Sequence, residues 1–309
     1  MSSSRCRLRV VAALVAVLPV AACQGSTGTP HGSASSAARG VRPTSGPDSA
    51  PSSRLATTAP ASLTPSVSGP AANTAPPIVT TAPPVPTPTV VPLPSVLAAE
   101  AGKDVLRLPT DRHVVALTFD AGANADAIPK ILATLQAENV PGTFFLTGAW
   151  VKAFPGQARQ VGALYPVGNH SSTHPHFTQL SSAAVRMQVT DAQTAITAAA
   201  GRDPQPLFRF PFGDRDTRTR DVVNSLGYIS IFWTVDTLGW EGTSGGQSTS
   251  SVVRRVMAKL QPGEIVLMHV GSNPVDHSTL DGDSLKTVID QIKAAGYGFV
   301  TVPQGLGLP

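Results

Sequence analysis

The sequence predicts a mostly parallel α/β domain behind a long unfolded tether. Three observations carry this. About half of the 29 prolines fall before residue 97. From about residue 112, apolar runs alternate with helical patterns, strand then helix. The predicted strands end, one after another, in side chains able to do hydrolytic chemistry.

The N-terminus reads as an export signal over residues 1–22. Arg5, Arg7 and Arg9 form a positive start, Val10 to Val20 an apolar run too short to span a bilayer, and Ala21 and Ala22 a small-residue cleavage site. Cys23 follows Val20-Ala21-Ala22, which resembles a bacterial lipobox. Cys23 is therefore expected to be lipidated, anchoring the chain to the outer face of the cytoplasmic membrane. Without lipidation the protein would be secreted. The other cysteine, Cys6, lies in the removed signal, so the mature chain has no disulfide. Removing the three arginines takes the formal charge from +4 to +1 (4 − 3). That balance gives no reason to expect a nucleic-acid partner.

Residues 23–97 are rich in Ser, Thr, Ala and Pro, as in Thr81 to Thr89. Such a stretch cannot bury enough apolar area to offset its ordering entropy and is expected to be disordered. At roughly 3 Å per residue it reaches on the order of 100–200 Å. The folded domain is placed at 98–309.

Within the domain the elements follow in order. Strands are expected at His113–Phe119, Thr143–Leu146, Leu207–Phe210, Tyr228–Val235, Glu264–Val270 and Phe299–Val302. Helices are expected at Ala125–Glu138, with Ile128, Ile131, Leu132 and Leu135 at helical spacing, and at Ser181–Ala200, capped by Ser181 or Ser182. Three more are expected near 217–226, 250–260 and 284–295. Asp281 and Asp283 read as a turn and cap before the last of these. Gly242 to Gly246 reads as a flexible rim loop, and His176 as a rim or surface residue.

Active sites of α/β folds gather at the carboxyl ends of the strands. There the sequence places Asp120, then His170 and His174, Arg209, Asp236 with Trp240, and His269. The His170-x-x-x-His174 spacing suits two imidazoles on one side of a helical turn, as a divalent metal needs. Each signal is weak alone. Five in sequence order on one rim are not.

Together these segments resemble the polysaccharide deacetylase family, the NodB-homology domain of carbohydrate esterase family 4. The motifs are Thr118-Phe-Asp-Ala-Gly122, His170-Ser-Ser-Thr-His174, Arg209-Phe-Pro-Phe-Gly213, Asp236-Thr-Leu-Gly-Trp240 and Leu267-Met-His269. The resemblance implies a distorted (β/α) barrel with fewer than eight strands. It implies metal-dependent deacetylation of N-acetylated sugars in a glycan, O-deacetylation being the lesser expectation. His170 and His174 would hold the metal, zinc by donor type. Asp120 would be the general base, paired with Arg209. A backbone N–H near Phe212 would face the oxyanion. His269 would be the general acid, and Trp240 and Leu267 would line the acetyl slot, with Asp236 nearby. Glycan is the implied partner, with no obligate protein partner.

Two positions depart from the family pattern. Ala121 stands where a second Asp usually ligates the metal. The third ligand is left open between water, Asp120, Asp126 and Asn124. Gly239 stands where an Asp usually pairs with the acid histidine, and Asp236 is not expected to reach His269. The loss of the usual second Asp at Ala121 keeps a second reading alive, a glycan-binding pseudoenzyme.

Overall fold

The computed structural model describes residues 93–308. The export signal, Cys23 and nearly all of the tether lie outside the described residues. Among those described, no helix is long and apolar enough to cross a membrane.

The sheet is entirely parallel. In chain order its strands are β1 (Asp104–Val105), β2 (Val114–Ala121), β3 (Thr143–Leu146), β4 (Val167–Asn169), β5 (Leu207–Phe208), β6 (Ile229–Ile231), β7 (Val235–Asp236), β8 (Glu264–His269) and β9 (Gly298–Phe299). The spatial order is β1-β6-β5-β4-β3-β2-β8-β7, with β9 also pairing to β2. β6 and β7 therefore lie near opposite ends of this order, yet only residues 232–234 join them. Three residues span at most about 11 Å. The sheet must curl until its two ends almost meet, which makes a half-barrel closed by chain continuity rather than by a hydrogen-bonded ladder.

The predicted strand Tyr228–Val235 is thus two pieces. The reason is the buried Arg209, whose guanidinium donates to the carbonyls of Ile231 at 3.3 Å and Phe232 at 3.0 Å. With β6 and β7 taken as halves of that strand, and the two-residue β1 and β9 set aside, six strands form the barrel wall, within the expected limit of fewer than eight.

Helices flank the sheet: α1 (Leu93–Glu100), α2 (Ile128–Ala137), α3 (Gly148–Ala153), α4 (Pro155–Leu164), α5 (Ser182–Ala200), α6 (Thr217–Ser225), α7 (Thr249–Met257), α8 (Leu280–Ala294) and α9 (Val302–Gly305). Ser181 caps α5 by accepting from the N–H of Ala184, as expected. Asp216 and Ser248 make full capping boxes at α6 and α7. α1 begins at Leu93, inside the last residues assigned to the tether. The expected final strand is also shorter, because Thr301 and Gln304 form a capping box and Val302 opens α9. α3 and α4 had no sequence expectation. α8 begins at Leu280, earlier than the expected 284.

Side-chain parity along β2 positions the site. Val115, Leu117, Phe119 and Ala121 join the apolar cluster shared with α2, α7 and α8. Val114 and Ala116 join a second cluster, which fills the barrel interior with Ile229, Ile265 and Leu306. Successive residues of a strand face opposite sides. Asp120 therefore shares the interior side with Thr118, while Ala121 packs among the outer apolar residues.

Candidate functional site

The carboxyl ends of the strands surround a cavity of about 470 Å³, lined among others by Asp120, His170, His174, Asp236, Trp240 and His269. All the strand-tip residues singled out from sequence meet there except Arg209, which lies beneath it, fully buried.

Arg209 is held on every side. One nitrogen donates to Asp120 Oδ1 at 2.7 Å and to Thr118 Oγ1 at 2.9 Å, and the guanidinium stacks on the Phe145 ring at 4.1 Å. A buried charge needs such full satisfaction. Burial alone would raise the Asp120 pKa, but Arg209, then His170 and His269, outweigh it and hold the carboxyl below its ordinary range. Its second oxygen, Oδ2, faces His170 Nε2 at 3.4 Å.

The two histidines do not sit on a helical turn. Residues 170–174 form a loop in which Ser171 (φ 71°) and His174 (φ 60°) are left-handed. Asn169 sets this loop by accepting from the Ser171 N–H at 2.9 Å and donating to the Val189 carbonyl at 2.9 Å. The rings still meet, with centroids 4.8 Å apart. His170 Nδ1 lies 2.8 Å from the Arg209 carbonyl, and since a carbonyl only accepts, Nδ1 carries the proton. That leaves the Nε2 lone pair for the cavity, the tautomer a metal ligand needs. Burial lowers the pKa of His170, and burial with the neighbouring His170 takes His174 down to about 4, so both rings are neutral near pH 7.

Two of the proposed third ligands are engaged elsewhere. Asn124 Oδ1 accepts from Ser272 N–H at 2.8 Å, and its amide donates to the Ser272 carbonyl at 3.1 Å. Asp126 Oδ2 accepts from Ser272 Oγ at 2.6 Å. Both staple the loop after β2 to the loop after β8. Ala121 offers no donor. Two neutral imidazoles in contact, one of them 3.4 Å from the Asp120 carboxylate, have the chemistry a divalent ion needs. Among the described residues, however, no group of three His, Cys, Asp or Glu is gathered closely enough to hold one.

His269 closes the other side, its ring about a quarter exposed. Sequence gave it no carboxylate partner; the structure corrects this. Asp281, expected as a cap, is buried in the first turn of α8, with Oδ2 3.4 Å from His269 Nδ1. Burial works against protonating His269, but Asp281, Asp120 and Asp236 outweigh it and raise its pKa. Asp236 contributes only through its charge. Its Oδ1 accepts from the Leu238 N–H at 2.9 Å, and burial raises its own pKa.

The rim is aromatic. Phe212 and Trp240 stand exposed, Trp240 edge-on to His269 at 6.3 Å, while Leu267 is buried at the floor. His176, as expected, is on the rim, stacked on Phe212 at 4.3 Å. The Gly242–Gly246 loop is pinned rather than free: Asn273 donates to the carbonyls of Trp240 and Glu241, and Asp276 accepts from Thr243. Ser171, His174, Phe212, Leu238 and His277 all take a φ of 57–71° on loops that follow β4, β5, β7 and β8. Such backbone costs on the order of 1 kcal/mol per residue and gathers where loops are shaped for function.

A buried, ionised carboxylate, two neutral imidazoles and a protonatable histidine around one cavity of an α/β half-barrel are groups suited to hydrolytic chemistry. Comparison with known proteins narrows this class. The polysaccharide deacetylase family profile matches residues 107–231. A peptidoglycan-N-acetylglucosamine deacetylase of Bacillus cereus is 31% identical over 196 residues, covering 63% of this chain and 69% of that one. The Listeria monocytogenes enzyme PgdA, a peptidoglycan-N-acetylglucosamine deacetylase, is 33% identical over 71% of this chain, which spans only 42% of its length. Among solved structures, a carbohydrate esterase family 4 pseudoenzyme of Bacillus anthracis superposes with a TM-score of 0.60 at 30% identity, covering 66% of this chain and 69% of that one. A mutant of that pseudoenzyme with restored enzymatic activity aligns equally well. The chain belongs to the polysaccharide deacetylase family.

Proposed function

We propose that this protein hydrolyses the acetyl groups of N-acetylated sugars in a polysaccharide, with wall peptidoglycan as the substrate that an exported, lipid-anchored chain meets first. The observation that carries the reading is the Asp120–Arg209 pair, which fixes one carboxylate oxygen and leaves the other facing the His170 imidazole. Asp120 Oδ2 takes the proton of the attacking water. Arg209 keeps that carboxylate ionised and aimed. His269 hands a proton to the departing amine, a role its raised pKa suits. The backbone N–H near Phe212 faces the developing oxyanion, and Trp240 and Leu267 exclude water from the acetyl methyl. A divalent metal, zinc by donor type, would be held by His170 and His174 and would polarise the carbonyl and acidify water.

A second reading is favoured by one observation. Ala121 lies in the outer apolar cluster and offers no donor, and among the described residues no group of three His, Cys, Asp or Glu is gathered closely enough to hold an ion. A chain that binds glycan without cleaving it fits that arrangement.

Acetate release from N-acetylglucosamine oligomers and wall glycan separates the two. The full chain is assayed after chelation and after adding back zinc, cobalt, nickel or manganese. Acetate that vanishes with the chelator, returns with one metal and is lost in Asp120→Ala supports the deacetylase. Glycan binding without acetate under every metal supports the pseudoenzyme.

A further inference from the structure

We propose that Asp281 is the positioning residue for His269, delivered from a helix into the space that a side chain at position 239 would otherwise fill. The inference rests on the reading that His269 serves the deacetylation.

Asp281 is only 3% exposed, and both its oxygens are committed. Oδ1 accepts from Thr237 Oγ1 at 2.7 Å. Oδ2 accepts from the His269 backbone N–H at 2.8 Å and faces the same residue's ring at 3.4 Å. His269 Nδ1 is buried and makes no hydrogen bond among the described residues, so the Asp281 carboxylate it faces at 3.4 Å is the acceptor nearest to hand. One carboxylate thus holds the backbone of His269 and faces its ring. Placing the Nδ1 proton toward Asp281 leaves Nε2 as the nitrogen that serves the cavity.

Gly239 is the other half of the argument. Its φ lies outside the left-handed region, so the backbone does not demand glycine there. Space does. A Cβ at 239 would sit 2.3 Å from Asp281 Oδ1 and 2.5 Å from its Cγ, closer than real Cβ contacts allow. A side chain at 239 and the carboxylate of Asp281 exclude each other. One volume beside His269 holds one carboxylate, and here α8 supplies it rather than the loop before Trp240. Asp120 from β2 and Asp236 from β7 also act on His269 through their charge, but neither bonds its backbone.

The test uses the full-length protein and three variants: Asp281→Asn, Gly239→Asp, and Asp281→Ala combined with Gly239→Asp. Acetate release and the ¹⁵N resonances of the His269 ring are measured for each. In Asp281→Asn, kcat is expected to fall on the order of 10²-fold, the scale of a general acid's contribution, with KM nearly unchanged. Its Nδ1 resonance is expected to lose its protonated signature. Gly239→Asp alone is expected to lose activity through the clash. The double variant, which moves the carboxylate across the same gap, is expected to recover most of kcat and the Nδ1 signature. A purely structural Asp281 would not be replaced from position 239. Unchanged kcat and unchanged Nδ1 in Asp281→Asn would overturn the proposal, as would a folded double variant that recovers neither. If the wild type releases no acetate, the ring resonances still decide the role of Asp281, so the two readings fail separately.

Discussion

Strand β8 carries a titratable side chain at each end, and the two are treated in opposite ways. At its carboxyl end, His269 is met by Asp281 from α8, with Asp120 and Asp236 close by. At its amino end, Glu264 is fully buried, yet only Oε2 has a partner, the Gln261 N–H at 3.2 Å. Its Oε1 has none among the described residues. Burial therefore pushes the Glu264 carboxyl up to about 7. Burial is common to both ends; partners delivered by other elements are not. Asp120 and His269 are each pushed toward their charged form by partners from other elements, while the unsupported Glu264 at the far end works against stability.

The largest expected effect strips the rim of its charge. Asp120→Asn should reduce acetate release by on the order of 10²–10⁴-fold while far-ultraviolet circular dichroism stays native. Intact activity in this variant would remove the reason for treating the rim as the working end. Next is Arg209→Met, which leaves Asp120 buried without its partner. Breaking a buried pair in this way costs about 3–5 kcal/mol, to be read from the urea midpoint.

Glu264→Gln acts at the opposite end and with the opposite sign. A carboxyl whose folded pKa is raised binds its proton more tightly when folded. Its burial costs nothing below the unfolded value of 4.5, and the cost grows until about pH 7. The variant should match wild type at pH 4 and exceed it by at most about 3 kcal/mol at pH 8. A stability gain already present at pH 4 would mean that packing, not charge, limits this end. The pH dependence of turnover sharpens the contrast further. His269 is an acid with a raised pKa, so acetate release should fall as pH rises through it, and Asp281→Asn should move that fall to lower pH. The smallest effect is expected for Trp240→Ala, a rise in KM of about fivefold on glycan oligomers with kcat retained, since an exposed ring contributes about 1 kcal/mol of contact.

Much of the molecule was legible in its residues. The alternation of apolar runs and helical spacing placed the main strands and most helices, because that periodicity records which faces are buried. Helix starts followed where caps were plain, as at Ser181. The ends of elements were less legible. The 228–235 strand broke because Arg209, distant in sequence, takes two of its carbonyls. Asp281 was also within reach. It falls on one helical face with Leu285, Val288 and Ile292, all buried, so the face that carries it was bound to turn inward.

The sequence by itself determined the parallel α/β class, the order of the strand tips and the residue types gathered at them, since these depend on local pattern and topology. Tertiary structure alone decided which groups touch. It turned Asn124 and Asp126 away to Ser272, placed Ala121 in the outer core by strand parity, and brought Asp281 to His269 across the space left by Gly239. Such pairings join residues far apart in the chain, and only the packing of complete elements against one another fixes them.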